Sequence, residues 1–159
     1  MSLSAAPTAI RATAQTFTTL LCNESDNNVK LIVLGRLREL KERHPTVMQE
    51  IVMDILRALS APNLDIRQKT LDVAMDLISA RNVEGVVNLL KKEIVKTQEG
   101  PPDDINNKYR ALLVQAVHSC VVKFPEVAES VVHLLMDFIT TGAVAVKVVK
   151  FVRYAATRV

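Results

Sequence analysis

Ala61-Pro-Asn-Leu-Asp-Ile-Arg-Gln-Lys-Thr-Leu71 joins a polar turn to a helix start through an apolar residue directly followed by a basic one, Ile66-Arg67. Asn63 and Asp65 offer side-chain oxygens to the unpaired N–H groups of a first helical turn. The same apolar-then-basic step recurs at Val29-Lys30, Tyr109-Arg110 and Val146-Lys147, separated by 37, 43 and 37 positions. Helix starts predicted at Pro7, Pro45, Asn82 and Pro125 step by 38, 37 and 43. Two helices per unit at such a period predict an all-α fold, an α-solenoid of about four HEAT/armadillo-type helical hairpins in which stacked neighbours supply the core. The single long step in each series brackets Gly100-Pro101-Pro102, which predicts about six residues inserted between the two helices of the third unit.

Working outward, Pro, Asn, Asp, Ser and Gly positions divide the chain into about eight helical segments and leave no stretch with the period-two alternation of a strand. The first runs from Pro7 to Cys22. The second begins after Ser25-Asp26, stops at His44-Pro45, and is predicted to bury Val29, Ile32, Val33, Leu37 and Leu40. Met48, Ile51, Val52, Ile55, Leu56 and Leu59 then recur at three- and four-residue steps and predict one continuous helix from Pro45. A fourth helix holds Ile66, Leu71, Ala74, Met75 and Ile78, and a fifth turns Val83, Val86, Val87, Leu90 and Ile94 inward. Gln98 to Asn107 reads as the only sizeable irregular loop. A sixth helix follows with Tyr109, Leu112, Leu113, Ala116, Val117 and Cys120 in register, a seventh from Pro125 to Ile139, and a Val-rich eighth from Val144 to Thr157. The predicted units are 7–44, 45–80, 82–123 and 125–157. The weakly polar last helix and the uncapped start predict a segment excised from a longer solenoid, because a terminal repeat needs a polar outer face.

The composition agrees with aliphatic helices: of 159 residues, 49% are apolar, 4% are aromatic, and only 4 are Gly. The net charge of +3 is spread along the chain and gives weak support to a polyanionic partner. Cys22 and Cys120 lie far apart and nothing resembles a cleavable leader, which fits a reducing, cytosolic setting. No apolar run approaches the roughly 20 residues that span a bilayer. No catalytic residue, metal site or cofactor is expected. His118 and Cys120, two apart on a helix, point in different directions, His44 borders a turn, His133 lies among valines, and no paired carboxylates, nucleophile elbow or phosphate loop is present. The basic residues Arg36 and Lys41 are candidate partner contacts, with a solvated helix face as the simpler alternative. Nucleic acid is disfavoured by the interleaved Glu39, Glu42 and Glu93 and by the lack of aromatic side chains for stacking on bases. Lys30, Arg67, Arg110 and Lys147 share one place in successive units, so they are expected to be structural, with Arg67 bonding carbonyl or carboxylate groups of neighbouring turns.

Three extended stretches carry a more specific likeness: Glu24 to Glu42 (ESDNNVKLIVLGRLRELKE), Val52 to Thr97, and Lys108 to Ala128 (KYRALLVQAVHSCVVKFPEVA). They resemble the adaptin-type trunks of the coatomer beta-subunit family, with departures over 98–107 and after Thr140. The resemblance implies a middle portion of such a trunk, and a scaffold role in the COPI coat for Golgi-to-ER retrograde and intra-Golgi transport. It also implies other coatomer subunits as partners, delta in particular, and an Arf-family GTPase engaged by other parts of the trunk. The expected location is the cytoplasm, with recruitment to Golgi membranes through the coat and no nucleic acid bound. The competing class is another HEAT-repeat scaffold, a nuclear transport receptor or a nucleic-acid-binding solenoid, since a fold does not fix a function.

Overall fold

The computed structural model describes residues 7–100 and 103–132, and every described element is helical. The chain forms two compact units, residues 1–82 and 83–159. The predicted eighth helix with Lys147, and the part of the seventh beyond residue 132 with His133, lie outside the described residues.

In the first unit, α1 (Pro7–Asn23) and α2 (Asn27–Arg43) form a hairpin. Its turn is set by two carboxylates. Asp26 caps α2 by accepting the Asn28 N–H at 2.7 Å, and Glu24 accepts the N–H groups of Ser25 at 2.7 Å and Asp26 at 3.2 Å. The Asp26 and Ser25 backbone donors hold the Glu24 carboxyl below its ordinary range, because they stabilise its charged form. α2 packs against α1, against α3 (Pro45–Gln49) and against α5 (Leu64–Met75). That three-sided packing corrects the predicted buried face. Val33, Leu34 and Leu37 are buried, whereas Ile32 is 63% exposed, because the α5 side draws Leu34 inward and turns Ile32 away.

The predicted helix from Pro45 is three pieces: α3, α4 (Val52–Leu56) and a 3-10 segment, Arg57–Ser60. At the break the N–H groups of Glu50 and Ile51 bond three residues back, to Val47 and Met48 carbonyls, both at 3.2 Å. This tighter winding rotates successive side chains further than an α-helix does. Across the break Met48, Ile51, Val52, Ile55, Leu56 and Leu59 are nonetheless buried as predicted, and Ala58 joins them. α5 opens on Asn63, whose side chain accepts the N–H groups of both Asp65 and Ile66. It buries Ile66, Leu71 and Ala74 as predicted, leaves Met75 half-buried, and adds Val73 and Thr70, the latter donating its hydroxyl to the Ile66 carbonyl at 2.7 Å.

The second unit is built on α6 (Val83–Glu99) and α7 (Asp104–Lys123), followed by a 3-10 turn, Pro125–Val127. Val83, Val86, Val87, Leu90 and Ile94 line the inner face of α6. The loop predicted over Gln98–Asn107 contracts to residues 100–103, since α6 continues to Glu99 and Asp103 caps α7 by accepting the Asn106 N–H at 2.6 Å. Much of the expected insertion is therefore an extra helical turn at the start of α7. Lys30 and Arg67 each lie four residues after their caps, Asp26 and Asn63, and Arg110 lies seven after Asp103.

Candidate interaction surface

The basic residues that mark the repeat point back into the protein. The Arg67 Nε–H donates to the Ala61 carbonyl at 2.6 Å, tying the first turn of α5 to the chain that leaves the preceding 3-10 segment. Arg110 does the equivalent in the second unit: Nε donates to Thr97 Oγ1 at 3.0 Å and Nη2 to the Thr97 carbonyl at 2.6 Å. Thr97 lies in the last turns of α6, where carbonyls lose their helical partners, so a guanidinium there meets both an unpaired acceptor and the negative end of the helix dipole. One turn back, the buried Tyr109 donates its hydroxyl to Glu93 at 3.1 Å, giving the α6–α7 hairpin two adjacent polar links. Lys30 is 7% exposed and buries its stem in the core near Glu24, whose charge it helps to stabilise.

Arg36 and Lys41, the two candidate contact residues, are differently placed. Arg36 is exposed and pairs with Glu39 on its own helix at 3.0 Å. Lys41 has a side chain only 12% exposed and pairs with Asp76 beyond the end of α5. They are five residues apart on α2, which turns them well away from each other. The structure therefore does not bring them together on one patch. Periodicity carries no signal for the Lys41–Asp76 pair, because the two residues are 35 positions apart.

Beside that pair lies a groove of about 310 Å³ between α2 and α5. Leu31, Leu34 and Val73 provide its apolar lining and Arg38, Lys69 and Asp72 its exposed charges, with Gly35 on the α2 side. A second, polar cleft of about 390 Å³ lies between α1 and the α4 region and includes Thr18, Cys22, Asp54 and Arg57.

Neither cysteine is arranged as a nucleophile. Burial pushes the Cys120 thiol up to about 11, and burial also raises Cys22, although the Arg57 and Lys30 charges pull against it. Among the described residues no group of three or more His, Cys, Asp or Glu side chains could hold a metal ion, and no helix is long and apolar enough to cross a membrane. The chemistry on this surface is that of ion pairs, hydrogen bonds and packing.

Helical hairpins held by basic staples to carbonyls, around an aliphatic core, define an all-α solenoid class, and comparison with known proteins places the chain within it. Residues 1–159 match the adaptin N terminal region, and the chain belongs to that family. Its relatives include coatomer subunit beta-2 of Arabidopsis thaliana, 60% identical over 155 residues that make up 96% of this chain and 16% of that protein. Coatomer subunit beta of Sus scrofa is 52% identical over 162 residues, 99% of this chain and 17% of that protein. The corresponding Dictyostelium discoideum subunit is 48% identical over 155 residues, 96% of this chain and 17% of that protein. The chain thus spans about a sixth of the length of these relatives. The family match also corrects the expected position within the trunk, which is the N-terminal region and not a middle portion. A repeat period is the same wherever it is read along a solenoid, so it carries no positional information.

Proposed function

We propose that this chain is a structural scaffold segment of the COPI vesicle coat and acts through protein–protein contacts in Golgi-to-ER retrograde and intra-Golgi transport. The observation that carries this reading is identity of 48% to 60% with coatomer beta subunits of a plant, a mammal and an amoeba over nearly the whole chain. The proposed partners are other coatomer subunits, delta foremost, with an Arf-family GTPase engaged elsewhere in the trunk. Association with Golgi membranes would run through the assembled coat. No enzymatic step is assigned to any residue. The relatives' names lend nothing to the competing class of nuclear transport receptor or nucleic-acid-binding solenoid.

Within this reading Lys30, Arg67 and Arg110, with Lys147 in the corresponding place, are scaffold residues, and four repeat units form one trunk segment. The bonds of Arg67 and Arg110 to Ala61 and Thr97 support the structural assignment. Arg36, exposed on α2, is the better placed of the two candidate contacts, and Lys41 acts through Asp76. The full-length protein, tagged and isolated from cells, should bring down the other coatomer subunits after nuclease treatment, and Arg36→Glu should weaken that recovery. Recovery of RNA or of transport receptors without coat subunits would overturn the proposal.

A further inference from the structure

We infer that the break between α3 and α4 is a hinge with two states, broken while Asn82 is docked on Gln49 and closed into a continuous helix when Asn82 withdraws. Nothing in the local sequence calls for a break. Between Pro45 and Ser60 no further Pro and no Gly occurs, and the break falls on Gln49, Glu50 and Ile51, the first two of them strong helix formers. Yet Ile51 leaves helical geometry at φ −106° and ψ 8°, and the N–H groups of Glu50, Ile51 and Asp54 each bond a carbonyl three residues back. Such 3-10 winding inside a helix is a recurrent mark of a hinge. Burial does not require it either: the buried row of Met48, Ile51, Val52, Ile55, Leu56 and Leu59 is the one a continuous helix would bury.

What holds the break is polar and comes from distant residues. A kink without Pro or Gly calls for a group inserted into the helical ladder, and Asn82 supplies it. Its Nδ2 donates to the Gln49 carbonyl at 3.1 Å, the place that the Met53 N–H takes in a continuous helix. Arg11 of α1 pairs with Glu50 beside it, but both side chains are about half exposed, so this ion pair is the weaker hold. The other two bonds of the Asn82 amide, from Nδ2 to the Leu77 carbonyl at 3.1 Å and from the Ser79 N–H to Oδ1 at 2.8 Å, lie within its own turn and travel with it. Withdrawal of the turn therefore exchanges one donor on Gln49 for another, which keeps the two states close in free energy. Val83, the next residue, opens α6, so displacement of α6 acts directly on this turn. Because α3 packs on both α1 and α2, closing the helix re-aims that hairpin against α4. The inference concerns how the first unit changes shape and holds whether or not the chain serves in a coat.

The test is amide hydrogen exchange and Cα chemical shifts, read by NMR on the full chain in wild type and in Asn82→Ala. In the variant the Met53 amide should gain protection by about tenfold or more, and the Ile51 shift should move to a helical value, even though loss of the Leu77 and Ser79 bonds lowers overall stability. A variant that merely loosens or misfolds would lose protection at Met53. Met53 protection that is unchanged or lower, or an Ile51 shift that stays non-helical, would overturn the proposal. If Asn82→Ala does not fold, relaxation dispersion on wild type decides. A minor state in which the Ile51 shift is helical carries the proposal, and a minor state with an unfolded shift, or no exchange at Ile51 and Met53, overturns it.

Discussion

Asn82 gives the sharpest test of how the first unit is held together. Its Nδ2 donates to the carbonyls of Leu77 and Gln49, both at 3.1 Å, and its Oδ1 accepts the Ser79 N–H at 2.8 Å. Gln49 ends α3, so its carbonyl is at a helix terminus where no continuing turn supplies a donor. One half-buried amide therefore fastens the turn after α5 to the break before α4. Three neutral hydrogen bonds at about 1 kcal/mol each, partly offset by rehydration of the freed groups, put the cost of Asn82→Ala at about 2–3 kcal/mol. Asn82→Asp keeps the acceptor for Ser79 but sets oxygen against two carbonyl oxygens, and should cost at least as much. Urea unfolding followed by circular dichroism measures both, with an expected loss in the midpoint of about 1 M. A change below about 0.5 kcal/mol in Asn82→Ala, the scale of an ordinary surface substitution, would refute the clamp.

Arg110→Ala should destabilise the second unit by about 1–3 kcal/mol in thermal melting. Arg110→Lys should recover less than half of that, because an ammonium lacks the fork that reaches both Thr97 acceptors, and full recovery would show that only the charge matters. Leu37, fully buried on α2, should cost about 2–5 kcal/mol as Leu37→Ala, whereas Ile32→Ala, largely exposed, should cost under about 1 kcal/mol; equal costs would contradict the packing of α2. Cys22, half-buried, should be alkylated by iodoacetamide well before Cys120 at neutral pH, read by mass spectrometry. The buried Cys120 thiol, raised from 9.0 to about 11, favours the folded state while protonated, so stability should fall as pH rises from about 9 through 11. Cys120→Ala should flatten that decline.

The parts of the structure legible in the sequence are those fixed by near neighbours. Asp26 and Asn63 cap helices through residues two and three positions on, and the inward row of α6 follows the helical period alone. The start of α7 was legible too, since Asp103 followed by Tyr109, Leu113 and Val117 is a cap ahead of a periodic stripe; the polar stretch around it masked the signal. What periodicity misses is set by distant partners. Ile32 faces out because α5 packs on the opposite side of α2, and Asn82 reaches back 33 residues to Gln49 at the break after α3. The same holds for the surface. Lys41 reads as a free cation in a basic helix until Asp76 is folded against it.

Chemical crosslinking of the assembled coat, with mass spectrometry of the linked peptides, tests the scaffold account most directly. Lys69, exposed beside the α2–α5 groove, should link to a peptide of another coat subunit, and Lys30, buried in the α2 core, should not. A coat that forms at full yield without this protein, or one in which its lysines link only to one another, would contradict it.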